Sequence, residues 1–177
     1  MIFTSTPLSG AFLIDLERFE DERGFFARSW CQKEFEAHGL DPRLAQCNIS
    51  YNRHKGTLRG MHFQMAPWAE AKLIRCTRGA LYDVIIDIRP DSPTFKQHFA
   101  AVLDAGNRRM LYAPAGFAHG FLTLEDDTEV FYQMSQFYAP DHGGGFRWND
   151  PAFGISWPEP VCVISERDRT YPDFVSS

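Results

Sequence analysis

The sequence predicts an all-β protein, an antiparallel sandwich or jelly roll with a few short peripheral helices. Two observations favour this fold. Short segments rich in β-branched, aromatic or alternating residues follow one another, with Pro, Gly, Asn or Asp between most of them and scarcely any helical pattern. Aromatic residues, which suit strands, are abundant: 16 Phe, 6 Tyr and 4 Trp among 177 residues. Because helices do not alternate with the strands, a parallel βαβ sheet is not expected.

Taken in chain order, the elements begin with a helix over Cys31 to His38, which Gly39 would end. The segment from Asn48 to Gln64 is assigned to two adjacent strands. Further strands are predicted at Ala71 to Cys76, Ala80 to Arg89, His98 to Asp104, Arg109 to Ala113, His119 to Leu124 and Thr128 to Met134. No repeat or linker divides the chain, so residues 1–177 are expected to form one domain.

The strand predicted from Ala80 to Arg89 shows how the sandwich would separate its faces. Its even-numbered residues are all apolar, whereas the odd-numbered ones include Asp83, Asp87 and Arg89. We expect the even face to be packed and Arg89 to meet solvent. Asp83 lies deeper in the apolar run and is expected to have a fixed partner, because burying an unpaired carboxylate is costly.

The charge balance excludes several classes of partner. The net charge is -5, the wrong sign for a surface that follows a phosphate backbone, so nucleic acid is not an expected partner. No stretch approaches the length of a membrane span, and the first residues do not resemble a secretion signal. The sequence therefore predicts a cytoplasmic protein without a membrane partner.

One segment gathers several groups that could carry chemistry. It contains Arg59 and His62 around Gly60, and Lys72 follows on the next strand. Strand alternation sends residues three positions apart to opposite faces, so Arg59 and His62 can line one pocket only if Gly60 hosts a bulge or a local twist. Taken alone, a histidine beside a glycine is more often structural than catalytic.

A second group lies around a Pro-x-Gly turn that is followed by His119 at the start of a strand. Tyr132 lies on the next strand, beside small or apolar residues, and on its own it fits a core tyrosine bonded to a carbonyl. Pro-x-Gly-x-x-His is also the second half of the metal-binding cupin signature. The first half needs His-x-His, and here Gln64 stands in place of the second histidine, so no metal is expected.

Taken together, these segments resemble the dTDP-4-dehydrorhamnose 3,5-epimerase family, metal-free cupin-type jelly rolls, from about Phe12 to Asp168. The resemblance rests on the shared order and spacing of several motifs. They are Asp21 to Phe26, Leu58 to Gln64, Lys72 to Arg75, Asp83 to Arg89, Ser92 to Phe95, Pro114 to Phe121, Trp148 to Pro151 and Ile164 to Asp168.

The resemblance implies an isomerase that acts on a nucleotide-linked 4-keto-6-deoxyhexose without a cofactor. It implies His62 as the base, Tyr132 as the acid and Asp168 as the carboxylate that orients His62. The substrate-binding residues that it implies are Arg23, Gln46, Asn48, Arg59, Gln64, Lys72, His119, Tyr138 and Arg167. A homodimer is also implied, with Arg23 serving either its own pocket or that of the partner.

The chain departs from the family pattern mostly at the rim of the substrate site. Arg28 and Cys47 change the charge near the pocket expected to bind the base of the nucleotide. Gly143 stands where some members carry a glutamate. The nucleotide (dTDP, CDP or GDP) and a C3-only reaction therefore stay open. Two alternative functions are also considered. One is a metal-dependent cupin oxygenase built on His62, Glu70 and His119, and the other is a sugar-binding jelly roll without catalysis.

Overall fold

The computed structural model describes residues 1–175 and consists of two packed β-sheets, a separate hairpin and two short helices, with strands numbered here in chain order. The first sheet contains, in spatial order, β1 (Ile2–Ser5), β2 (Phe12–Asp15), β10 (Met110–Ala113), β7 (Lys72–Arg78), β12 (Thr128–Met134) and β5 (Gln46–Asn52). All of its neighbouring strands are antiparallel. This arrangement confirms the predicted all-β jelly roll.

The second sheet contains β13 (Gly143–Gly145), β6 (Thr57–Gln64), β11 (Phe117–Thr123), β8 (Ala80–Asp87) and β9 (His98–Asp104), with β14 (Val163–Ile164) parallel to β6. The hairpin pairs β3 (Arg18–Asp21) with β4 (Gly24–Ala27). The helices are α1 (Gln32–Ala37) and α2 (Glu166–Thr170), and a 3₁₀ turn spans Pro140–His142. No helix within residues 1–175 is long and apolar enough to cross a membrane.

The predicted elements of the second half of the chain agree with the observed ones to within two residues at most ends. The helix predicted over Cys31 to His38 is α1, with those two residues as its caps. The strand predicted from Ala71 to Cys76 is β7, which runs on to Arg78. The strand predicted from Ala80 to Arg89 is β8, which ends at Asp87. The strands β1 to β4 were not predicted, because each is only four residues long and too short for a periodic pattern.

Both faces of β8 are covered by other parts of the chain. Leu81 and Ile85 pack in the core between the two sheets, while Val84 and Ile86 pack under the C-terminal segment. One face is thus covered by the other sheet and the second face by the C-terminal segment. Arg89, expected in solvent, is half-buried and donates to Asp87.

The core closes one end of the space between the sheets and leaves the other end open. The closed end is filled by apolar side chains from both sheets: Ile74, Cys76, Leu81, Ile85, Leu103, Leu111, Phe117 and Val130. Toward the other end of the same strands, most inward-facing residues are polar and line a cavity. The fold therefore provides a rigid base beneath a polar site.

Gly60 marks an extra residue in β6. His119 of β11 pairs with His62, but Phe121 pairs with Arg59, so two steps along β11 correspond to three along β6. Gly60 has φ +132, and a Cβ there would lie 2.5 Å from the Cα atom of Gly120. The bulge expected at Gly60 is therefore present, and it allows both Arg59 and His62 to line the cavity between the sheets.

Replacing Gly60 with Ala should lower the free energy of unfolding by roughly 1–3 kcal/mol, because the new methyl group meets backbone atoms at a φ that L residues avoid. Urea denaturation measures the loss. The matched control is Gly143→Ala on the neighbouring β13, where φ is -73° and the nearest atom lies 3.5 Å away. A loss equal to that of the control would contradict a close approach at Gly60.

Candidate active site

The open end of the sandwich holds a cavity of about 290 Å³ between the two sheets. Its walls are polar on both sides, with an aromatic and apolar contribution from Phe121 and Met134. The first sheet supplies Asn48, Ile49 and Ser50 from β5, Lys72 from β7, and Tyr132 and Met134 from β12. The second sheet supplies Arg59 and His62 from β6 and His119 and Phe121 from β11.

His62 is held by a carboxylate from the C-terminal helix. Its Nε2 lies 2.7 Å from Oδ1 of Asp168, which is only 4% exposed. The backbone N–H of Gly60 donates to the other carboxylate oxygen over 3.2 Å. Ser165 caps α2 by accepting from the N–H of Asp168, which fixes the carboxylate at the start of the helix.

Asp168 stays ionised in this arrangement. Burial alone would raise the pKa of Asp168, but the hydrogen bonds and charge of His62 and the Gly60 N–H outweigh that effect, so its pKa is lowered. A carboxylate on Nε2 favours the tautomer with hydrogen on that nitrogen. Nδ1 is then the ring nitrogen that can accept a proton, and the adjacent negative charge stabilises the resulting imidazolium.

Tyr132 comes from the opposite sheet and packs partly against the core. Burial raises the pKa of its phenol well above the ordinary value, and the negative charge of Asp83 raises it further. Arg59 and Ser50 act in the opposite direction but do not cancel the rise. The hydroxyl therefore remains protonated near neutral pH and can donate a proton.

His119 also pairs with a carboxylate, and this pair is deeper than the first. Its Nε2 lies 2.7 Å from Oδ1 of Asp83, and neither side chain has substantial exposure. The His119 ring meets the Tyr132 ring edge to face, with centroids 5.9 Å apart. The expectation that Asp83 has a fixed partner is thus confirmed, and the partner is His119.

Two cations reach the cavity. The Nε of Arg59 donates to Oδ1 of the buried Asn52 over 2.8 Å, a neutral contact that leaves the guanidinium charge uncompensated there. Lys72 lies 3.2 Å from Glu70, and both side chains are buried. Arg59 is thus a cation at the cavity without a carboxylate partner within residues 1–175, although the whole chain is acidic.

A smaller cavity of about 130 Å³ adjoins the first and shares His62 and Lys72 with it. Tyr138 and Arg167 lie on its wall, and Tyr138 is 59% exposed. Gln64 also lines it, but its amide is engaged: its oxygen accepts from the N–H of Ala139 over 2.7 Å, and its nitrogen donates to Glu70.

Two of the predicted substrate-binding residues lie outside both cavities. Gln46, at the start of β5, accepts from the N–H of Tyr138 over 3.0 Å and so helps Gln64 to position that loop. Arg23 lies at the turn of the β3–β4 hairpin, where it pairs with Asp21 and its side chain is 89% exposed. Within residues 1–175, the chain thus brings together all predicted site residues except these two and Asp168, which acts from behind His62.

The sequence reasoning missed Asn52 as the partner of Arg59 and Ser165 as the cap behind Asp168. Alternation along β5 carries a signal for the first, because Asn48, Ser50 and Asn52 share the inward face. Ser165 precedes the short helix that carries Asp168, which is a typical N-cap position.

The three ligands considered for a metal do not converge. Glu70 is engaged by Lys72 and Gln64, His119 by Asp83, and His62 by Asp168. In the part of the chain that the structure describes, no group of three or more His, Cys, Asp or Glu side chains is arranged to hold a metal ion.

Comparisons with known proteins agree on one family. The family model described as dTDP-4-dehydrorhamnose 3,5-epimerase matches residues 5–176. A relative of that name from Sinorhizobium fredii is 43% identical over 175 residues, covering 98% of this chain and 90% of that protein. The crystal structure of the Bacillus anthracis dTDP-4-dehydrorhamnose 3,5-epimerase, with TDP and PPi bound, is 43% identical with a TM-score of 0.93, covering 98% of this chain and 99% of that one.

A solved structure with a different activity is also similar. It is a 3′-monoepimerase from Streptomyces bikiniensis in complex with dTDP-quinovose, 35% identical with a TM-score of 0.85, covering 95% of this chain and 85% of that one. Likeness of fold alone therefore does not decide how many carbon centres a protein of this shape inverts.

Proposed function

The chain belongs to the dTDP-4-dehydrorhamnose 3,5-epimerase family and is an isomerase, and on that premise we propose that it inverts C3 and C5 of dTDP-4-dehydro-6-deoxyglucose with His62 as base and Tyr132 as acid. One observation carries this proposal. The two side chains come from different sheets and line the same cavity, so a sugar ring between them would meet a proton acceptor on one face and a donor on the other.

The chemistry follows from the C4 carbonyl of the substrate. The hydrogens on C3 and C5 are both adjacent to it, so removal of either one places negative charge on the C4 oxygen as an enolate. His62 takes the proton through Nδ1, and Asp168 stabilises the imidazolium that forms. Tyr132 then delivers a proton to the opposite face, which inverts the centre. No carbon is oxidised or reduced overall, so the proposal needs no redox cofactor.

The buried cation Lys72 is suited to the developing oxyanion. It lies in both cavities, beside His62, and its partner Glu70 holds it in place from behind. A fixed positive charge in a site of low dielectric stabilises an enolate more than it stabilises the neutral ketone. We assign the C4 oxygen to Lys72 for this reason.

The remaining residues suit the nucleotide. Arg59 is a donor on the wall of the larger cavity, where it would bind diphosphate oxygens, and Asn48 and His119 line the same cavity. Tyr138 and Arg167 border the smaller cavity. The Tyr138 ring offers an aromatic face to the nucleotide base, and Arg167 offers a cation to the phosphates. Gln46 and Gln64 act on this region through the loop that carries Tyr138.

The exposed hairpin supports a homodimer. Phe19 and Phe26 on β3 and β4 are 62% and 72% exposed, and Ile49 on the edge strand β5 is 63% exposed. Large apolar side chains at an unpaired sheet edge favour association. We propose that two copies pair through these surfaces and that Arg23 of each hairpin completes the cavity of the other copy.

Heavy water tests the reaction. With dTDP-4-dehydro-6-deoxyglucose as substrate, deuterium should enter both C3 and C5, and His62→Ala should slow the exchange by roughly 10²–10⁴-fold because the base is lost. His54→Ala, at an exposed histidine outside both cavities, is the matched control. Exchange at neither carbon would overturn the proposal, and exchange at C3 alone would identify a mono-epimerase.

Mixing two inactive variants tests the dimer and the place of Arg23. Arg23→Ala and His62→Ala, each of low activity alone, should recover activity after unfolding and refolding together, because a mixed dimer contains one cavity with both residues intact. If Arg23 served its own cavity, mixing would restore nothing. Light scattering that gave a single 20.3 kDa species would contradict the dimer itself.

A further inference from the structure

Asp83 is a buried carboxylate to which the proposed reaction assigns no role. It lies on β8 with no exposed surface, and its Oδ1 accepts from Nε2 of His119 over 2.7 Å. Its Oδ2 is also buried and has no hydrogen-bond partner among residues 1–175. A buried carboxylate oxygen left without a partner destabilises the fold, which makes a purely structural role a poor explanation for this residue.

Asp87 on the same strand and the same face shows what a structural carboxylate looks like in this protein. It is equally buried, but it accepts from Arg89 over 2.9 and 2.7 Å and from Thr94 over 2.7 Å, so both of its oxygens are paired. These bonds join the end of β8 to the following loop. Asp87 is thus paired with an arginine, whereas the one side chain bonded to Asp83 within residues 1–175 is a histidine.

Asp83 faces the site through His119 and Tyr132. The rings of these two residues meet edge to face, with centroids 5.9 Å apart. The other charged or titratable groups of the cavity are Arg59 and His62 from β6, in the opposite sheet, and Lys72 from β7, in the same sheet as Tyr132. Asp168 lies behind His62 and Glu70 pairs with Lys72, while β5 contributes only uncharged side chains. Asp83 is thus the negative charge deepest in this wall, and it opposes loss of a proton from the phenol.

We propose that Asp83 is a positioning residue for the epimerisation: it fixes the His119 ring edge-on against Tyr132 and keeps the Tyr132 hydroxyl in its protonated, donating form. This rests on the proposed function of Tyr132 as the acid. His119 is the group that touches substrate, and Asp83 acts through it and through its charge.

The sign of the effect follows from electrostatics. A negative charge beside a phenol disfavours the phenolate, and the pKa of Tyr132 is raised by burial and by Asp83. Neutralising Asp83 should therefore lower the pKa of Tyr132 and bring its loss of a proton toward neutral pH. Tyr132 would then lose its proton at a lower pH, so the basic limb of the pH profile of kcat should shift to lower pH.

The test is an NMR titration of the free protein labelled with ¹³C at the tyrosine ζ carbon, with Tyr132→Phe to assign the signal. In the unsubstituted protein, the Tyr132 signal should remain that of the phenol up to about pH 11. In Asp83→Asn the change to the phenolate signal should begin at a lower pH than in the unsubstituted protein. The kcat should drop about tenfold with a smaller change in KM, because the His119 ring is no longer fixed against Tyr132. Asp87→Asn makes the same substitution on the same strand and should leave the titration of Tyr132 unchanged.

A Tyr132 titration that begins at an unchanged pH in folded Asp83→Asn would overturn the proposal, as would the same shift in the Asp87→Asn control. Should Asp83→Asn not fold, Asp83→Ser removes the same charge with a smaller side chain, and the same two outcomes apply. The titration needs no substrate, so its failure is distinguishable from failure of the proposed reaction, which heavy-water exchange decides.

Discussion

The extra residue at Gly60 is the constraint on which the site depends. Without it, Arg59 and His62 would face opposite sides of the second sheet, and the cavity would lose either a cation or its base. The same irregularity points the N–H of Gly60 at Asp168, the carboxylate that holds His62. One departure from strand geometry therefore places the proposed base His62, the proposed binding residue Arg59 and a hydrogen bond to the carboxylate that holds His62. The close approach of Gly60 and Gly120 is what allows the sheet to accommodate it.

The two residues proposed to transfer protons, His62 and Tyr132, differ in how a nearby carboxylate acts on them. Asp168 bonds directly to His62, and that contact stabilises the charged imidazolium, so the histidine is favoured as a proton acceptor. Asp83 bonds to His119 and not to Tyr132, so its charge acts on the phenol only through space and favours the neutral form. On the proposed mechanism, one carboxylate thus supports the base and another supports the acid. This asymmetry is what an inversion requires, since the ring must lose a proton on one face and gain one on the other.

Much of this site could be predicted from the sequence, but the reasons differ between residues. The alternation conflict between Arg59 and His62 pointed to Gly60, because strand periodicity is a local property. Asp168 lies 106 positions from His62, and no periodic pattern connects them, so its role came only from the resemblance to the family. The polar residues on the odd face of β8 were harder to interpret, because Asp83 faces a buried site rather than solvent and the sequence alone does not distinguish the two. Arg23 lies at the exposed turn of the β3–β4 hairpin, outside the cavity of its own chain, and no local pattern in the sequence predicts that separation.

The central claim is that His62 and Tyr132 act on opposite faces of one sugar ring, and Tyr132→Phe in heavy water tests it most directly. His62 should still remove protons and return deuterium to the same face, so recovered substrate should carry deuterium at C3 with its configuration retained and inversion suppressed. Inversion by Tyr132→Phe at the rate of the unsubstituted protein would contradict the account, because the donor on the second face would then be another group.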